Sequence, residues 1–125
     1  MSALGSPTQP LATDGPEPAQ PCADDALLTV TVTPKGKSAR LHLEGQLDVA
    51  TVTTLRTCLD QLDPAFRTVL VDLGEVSFID STGLGALVAA RRSFEMSSRA
   101  LLFCNPSERS RFIFELTGLG DLITN

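Results

Sequence analysis

From Leu27 the run LLTVTVT alternates, with Leu28, Val30 and Val32 separated by Thr29 and Thr31 and closed by Thr33. A two-residue period rich in β-branched side chains predicts a half-buried strand. Pro34-Lys35-Gly36-Lys37 supplies turn chemistry, and 39–47 alternates again through Leu41, Leu43 and Leu47, so the two runs read as a hairpin. The period then changes. Val52, Leu55, Leu59 and Leu62 recur at spacings of three, four and three, which puts one apolar stripe on a helix over 50–62, ended by Asp63-Pro64. Residues 67–73 form a near-continuous apolar run suited to a central strand of a largely parallel sheet, and a second short run follows at 76–79.

After Asp80-Ser81-Thr82-Gly83 a helix is expected over 83–96, with Leu84, Leu87, Val88, Ala90 and Phe94 toward the sheet. Gly83, Gly85, Ala86, Ala89 and Ala90 are small enough to let it pack closely. Residues 100–104 give another strand. Asn105-Pro106-Ser107-Glu108 opens a helix running to 117, with Phe112 and Leu116 one turn apart and Gly118 as its C-cap. The order β-β-α-β-α-β-α argues for an α/β layer fold with right-handed crossovers.

The first 26 residues differ in kind. Pro7, Pro10, Pro16, Pro18 and Pro21 stand among small polar residues with few large apolar groups, so a disordered, acidic, Pro-rich tail is expected over 1–26 and a single domain over 27–125. The net charge of −5 is largely a property of this tail. Asp14, Glu17, Asp24 and Asp25 precede Leu27, and the remainder carries 11 acidic residues against 10 basic ones. The basic residues are scattered rather than striped, which disfavours direct nucleic-acid binding.

Cys22, Cys58 and Cys104 are odd in number, far apart and without a CxxC pair, so they read as ordinary thiols in a reducing cytoplasm. The start lacks the basic and apolar regions of a secretory signal, and no apolar window reaches membrane-spanning length; a cytoplasmic protein that does not enter the membrane is expected. Ligand residues do not cluster, so neither metal nor cofactor is expected.

The chemistry concentrates at the 80–83 junction. Two adjacent hydroxyls, Ser81 and Thr82, stand where a strand gives way to a helix N-terminus, whose N–H groups and dipole favour negative charge. A hydroxyl there is suited to carry a phosphate or meet an anion; equally, Ser and Thr are common N-caps. Enzymatic readings fare poorly. Gly83-Leu84-Gly85-Ala86-Leu87-Val88 lacks the third glycine of a dinucleotide loop, Ser81 is outside a GxSxG elbow, and His42 is the sole histidine, read as an ordinary strand residue. Asp80-Ser81-Thr82-Gly83 differs from an aspartic protease signature by an extra residue and has no second copy. No catalytic residues are assigned.

The string FIDSTGLGAL resembles the signature of the STAS domain family, in particular the bacterial anti-sigma factor antagonists, which carry Asp-Ser-Ser/Thr-Gly-Leu-Gly at this junction. Gly45-Gln46-Leu47-Asp48, like the family's Gly-Glu-Leu-Asp, and Leu116-Thr117-Gly118-Leu119 agree in order and spacing. The resemblance implies a mixed β-sheet with helices packed mainly on one side. It further implies a protein that is not an enzyme: unphosphorylated, it binds an anti-sigma factor that is itself a serine kinase, and so releases a sigma factor for transcription under stress or in sporulation or development. Phosphorylation at Ser81, with Thr82 the adjacent and normally unmodified position, ends that binding; a serine phosphatase resets it. Gln46, Asp48, Asp80, Ser81, Thr82, Gly83 and Leu84 are the implied partner-binding residues. Asp48 reads equally as the N-cap of the following helix.

Two departures stand out. Gln46 replaces the usual glutamate, and the chain ends at Asn125, where family members commonly continue through a last strand into a terminal helix. Residues 121–124 are expected to supply that strand, leaving open an apolar face that invites homodimerisation or a partner. STAS domains also occur as accessory modules of anion transporters and lipid-trafficking complexes, and a small-ligand sensor is compatible with the family.

Overall fold

The alternating runs form the hairpin that the sequence predicts. The computed structural model describes residues 19–24 and 26–124. Within them β2 (Leu28–Lys35) and β3 (Ser38–Leu47) pair antiparallel through a two-residue turn, and Gly36, at φ 60°, takes the left-handed first position of that turn. Ahead of them β1 (Gln20–Asp24) lies antiparallel on β2. The disordered tail expected over 1–26 is therefore corrected at its C-terminal end; residues 1–18 and 25 lie outside the described residues. Backbone pairing to the edge of β2 supplies hydrogen bonds that composition could not reveal.

Helix α1 (Val52–Gln61) buries Val52, Leu55, Cys58 and Leu59, as its stripe dictates. The two apolar runs at 67–73 and 76–79 are one strand, β4 (Thr68–Ile79), parallel to β3 on one side and to β5 (Ala100–Cys104) on the other. Two register shifts against β3 explain the split appearance. Each adds a residue to β4, and an added residue flips which face the next side chain meets. The inward set thus steps by two through Val69, Val71 and Leu73, then by three to Val76 and by three again to Ile79.

The five strands run in the order β1-β2-β3-β4-β5. Leu28, Val30, Leu41, Leu43, Val69, Val71, Leu101 and Phe103 form one buried apolar core with the helices. Between β4 and β5 lies α2 (Ser81–Met96), which buries Gly83, Leu84, Leu87 and Phe94. Helix α3 (Glu108–Leu116) brings Phe114 edge-on to Phe103, ring centroids 5.5 Å apart. The result is a mixed sheet with its helices on one side.

Helix α3 ends as expected at Gly118, φ 78°, with the Leu119 N–H donating to Phe114 O over 2.7 Å and the Gly118 N–H to Glu115 O over 3.1 Å. Its Phe112 and Leu116 point outward, 60% and 68% exposed. The strand expected over 121–124 is instead a short 3₁₀ turn (Gly120–Leu122) followed by a single bridge from Ile123 to Phe103.

Candidate functional site

Because β3 and β4 are parallel, their C-terminal ends emerge side by side, Gln46 opposite Phe78 and Leu47 opposite Ile79. The loop into α1 and the junction into α2 therefore share one edge of the sheet. The Asp80 N–H donates to Leu47 O over 3.2 Å. Gly83 rests against the same peptide: a Cβ there would press into the Leu47 carbonyl and side chain. Of the small residues expected to allow close packing, Gly83 does so. Gly85 meets nothing within 4 Å, and Ala86, Ala89 and Ala90 line a groove of about 400 Å³ between α1 and α2, with Arg56, Asp60 and Phe94.

Helix α2 starts two residues earlier than the period suggested. Its N-cap is Asp80, whose Oδ1 accepts the Gly83 N–H over 2.9 Å. Ser81 is the first helical residue, and among the described residues neither its hydroxyl nor that of Thr82 is engaged by another group. Both are exposed. The N-cap alternative for these hydroxyls is thereby settled in favour of Asp80. An extended carboxylate residue just ahead of the first turn satisfies the orphan donor, which leaves the serine free.

The neighbouring loop is built around Thr51, which is fully buried. Its Oγ1 donates to Gln46 O over 2.8 Å and accepts the Asp48 N–H over 3.0 Å. Asp48 is half-buried, and its Oδ1 accepts the Ala50 N–H over 3.0 Å. The helix itself begins after Thr51, with no side-chain cap bond, so Asp48 holds the turn before α1 rather than its N-cap. Exposed around this edge are Val49, at 72%, and Phe78, at 42%. Neither these two nor Thr51 was singled out by sequence. An Asp-x-x-Thr spacing marks Thr51 in hindsight; Phe78 faces out only because of the second register shift in β4.

Of the expected partner-binding residues, Asp48, Asp80, Ser81, Thr82 and half-buried Gln46 share this edge. Gly83 and Leu84, named with them, are buried beneath this edge, Gly83 against Leu47 and Leu84 in the core. His42 lies elsewhere, on the open face of the sheet, its Nδ1 3.8 Å from Asp72 Oδ2. Among the described residues, no base is hydrogen-bonded to the Ser81 hydroxyl. Among the described residues, no helix is long and apolar enough to cross a membrane, and no three His, Cys, Asp or Glu side chains are grouped to hold a metal ion.

A second polar cluster occupies that open face. Asp72, almost buried, accepts from Arg40 Nε at 3.1 Å, Asn105 Nδ2 at 3.0 Å and the Gly74 N–H at 2.9 Å. Burial works to raise its pKa. The bonds from Gly74, Asn105 and Arg40, with the Arg40 charge, outweigh burial and hold it below the ordinary carboxylate value. This cluster ties β3, β4 and the loop after β5 together.

The family model described as the STAS domain matches residues 30–125. The anti-sigma-B factor antagonist of Staphylococcus aureus is 34% identical over 97 residues, covering 77% of this chain and 90% of its own. The structure of the anti-sigma factor antagonist SpoIIAA in its unphosphorylated form is 26% identical, with a TM-score of 0.63 over 76% of this chain and 85% of that one. That of the Bacillus cell fate determinant SpoIIAA in the phosphorylated form is also 26% identical, with a TM-score of 0.58 over 76% and 88%.

Proposed function

The chain belongs to the STAS domain family, and from that premise we propose that it is an anti-sigma factor antagonist, a regulatory binding protein switched at Ser81. The observation that carries this reading is the position of Ser81: an exposed, unengaged hydroxyl on the first turn of α2, with the cap already supplied by Asp80. Unphosphorylated, the edge formed by Asp48, Val49, Phe78 and Ser81 binds an anti-sigma factor that is a serine kinase, and a sigma factor is released in the cytoplasm.

In the modified state, Ser81 Oγ has attacked the γ-phosphorus of ATP held by the partner; ADP leaves, and the hydroxyl proton passes to a base on the partner. A phosphatase reverses this by directing water at phosphorus, returning serine and inorganic phosphate. The ester brings about −1.5 to −2 charge at neutral pH. On the free protein the α2 dipole and the unpaired N–H groups of its first turn accommodate that charge. In the complex the same charge is desolvated beside the Asp80 carboxylate, so binding is lost while the fold stays intact.

The test is phosphosite mapping after incubation with the anti-sigma factor kinase and ATP. A single phosphate on Ser81, absent from Ser81→Ala, is the expected result. Phosphate on another residue, or none with an active kinase, would overturn the switch.

A further inference from the structure

Two thiols far apart in sequence meet at the edge of the sheet. On β1, Pro21 is opposite Thr31 and Ala23 is opposite Val30, so Cys22 is an extra residue with no counterpart on β2. A bulge of this kind re-aims its side chain. Helix α1 packs against β1 and brings its buried Cys58 to the same place: the two thiols line one cleft with Val32, Leu62 and Phe66.

The two sulfurs differ in access. Cys22 is only partly buried and Cys58 is buried. Burial, with the Cys22 thiol beside it, pushes the Cys58 pKa up to about 12, so Cys58 is a neutral thiol that does not react first. Cys104 is buried in β5, and its pKa is also raised, chiefly by burial.

We propose that Cys22 and Cys58 are a modification site, forming a reversible intramolecular disulfide that fastens edge strand β1 to α1 when the protein meets a peroxide. Hydrogen peroxide oxidises the Cys22 thiol to a sulfenic acid and leaves as one water. Cys58 sulfur then attacks Cys22 sulfur; the S–S bond forms, the S–O bond breaks, and the hydroxyl departs with the Cys58 proton as a second water. Each cysteine loses one electron and the peroxide gains two. Proximity favours this resolution over further oxidation, and the site is independent of the Ser81 switch.

The full chain is treated with a small excess of hydrogen peroxide, then denatured and alkylated without reductant. The expected intact mass, before alkylation, is lower by two hydrogens, with Cys104 alone of the three cysteines open to alkylation. Trypsin then releases peptide 1–35 cross-linked to 57–67, and dithiothreitol restores both thiols. Cys104→Ser should behave as the parent does. Cys22→Ser, a change at a partly exposed bulge, should keep its two remaining thiols. Sulfinic acid accumulating on Cys22, a bridge to Cys104, a disulfide-linked dimer, or three thiols still alkylatable would each overturn the proposal.

Discussion

The Asp80 N–H donates to Leu47 O over 3.2 Å, joining the end of β3 to the N-cap of α2. That bond and the Gly83 contact on the same peptide make the two loops of the candidate site one unit.

Gly83 and Gly85 should respond to alanine with opposite signs. Gly83→Ala drives a methyl into the Leu47 carbonyl and should cost about 1–3 kcal/mol by strain. Gly85→Ala meets open space on a helix and should gain about 0.5–1 kcal/mol. Urea unfolding of both variants checks the pair, and equal effects would refute the packing argument.

Ser81→Glu should separate binding from folding. A carboxylate on the first turn of α2 leaves stability unchanged or raises it by about 0.3–1 kcal/mol through the helix dipole. Affinity for the anti-sigma factor should fall about a hundredfold, a loss of ~3 kcal/mol. Calorimetric titration beside a thermal melt distinguishes this from general unfolding.

Thr51→Val should destabilise by about 2 kcal/mol, because the Gln46 carbonyl and the Asp48 N–H both lose the buried hydroxyl. Chemical-shift changes should centre on 46–52. A perturbation confined to the end of α1 would argue against a latch.

Asp72 sets a pH signature. Its folded pKa lies below the unfolded value of about 3.9, so the unfolded chain binds the proton more readily. Its contribution to stability is complete above that value and is lost as pH falls through the folded pKa. Asp72→Asn should flatten this part of the acid limb and cost about 2 kcal/mol at neutral pH. Urea midpoints between pH 6 and 2 measure both effects.

The motif at 80–83 was legible because each of its signals is local: an apolar run, a capping carboxylate, a hydroxyl pair and a helical stripe. What Ser81 does within it was not. The choice between cap and free hydroxyl turned on where α2 begins, and that depends on the Asp80 contact with Leu47, 33 residues earlier in the chain. Asp72 was missed for a similar reason, since Arg40 and Asn105 lie on other elements.

By itself, the sequence determined the hairpin, the stripe of α1, the end of α3 and the family, since side-chain period and capping act over a few residues. Tertiary structure decided that Gln20–Asp24 is a strand and that two apolar runs are one. It also decided that Gly83 and Leu84 lie beneath the site and that Cys22 and Cys58 line one cleft. The physical reason is that strand pairing, bulge phase and buried contacts are satisfied by partners remote in the chain, and one inserted residue reverses the face on which every later side chain falls.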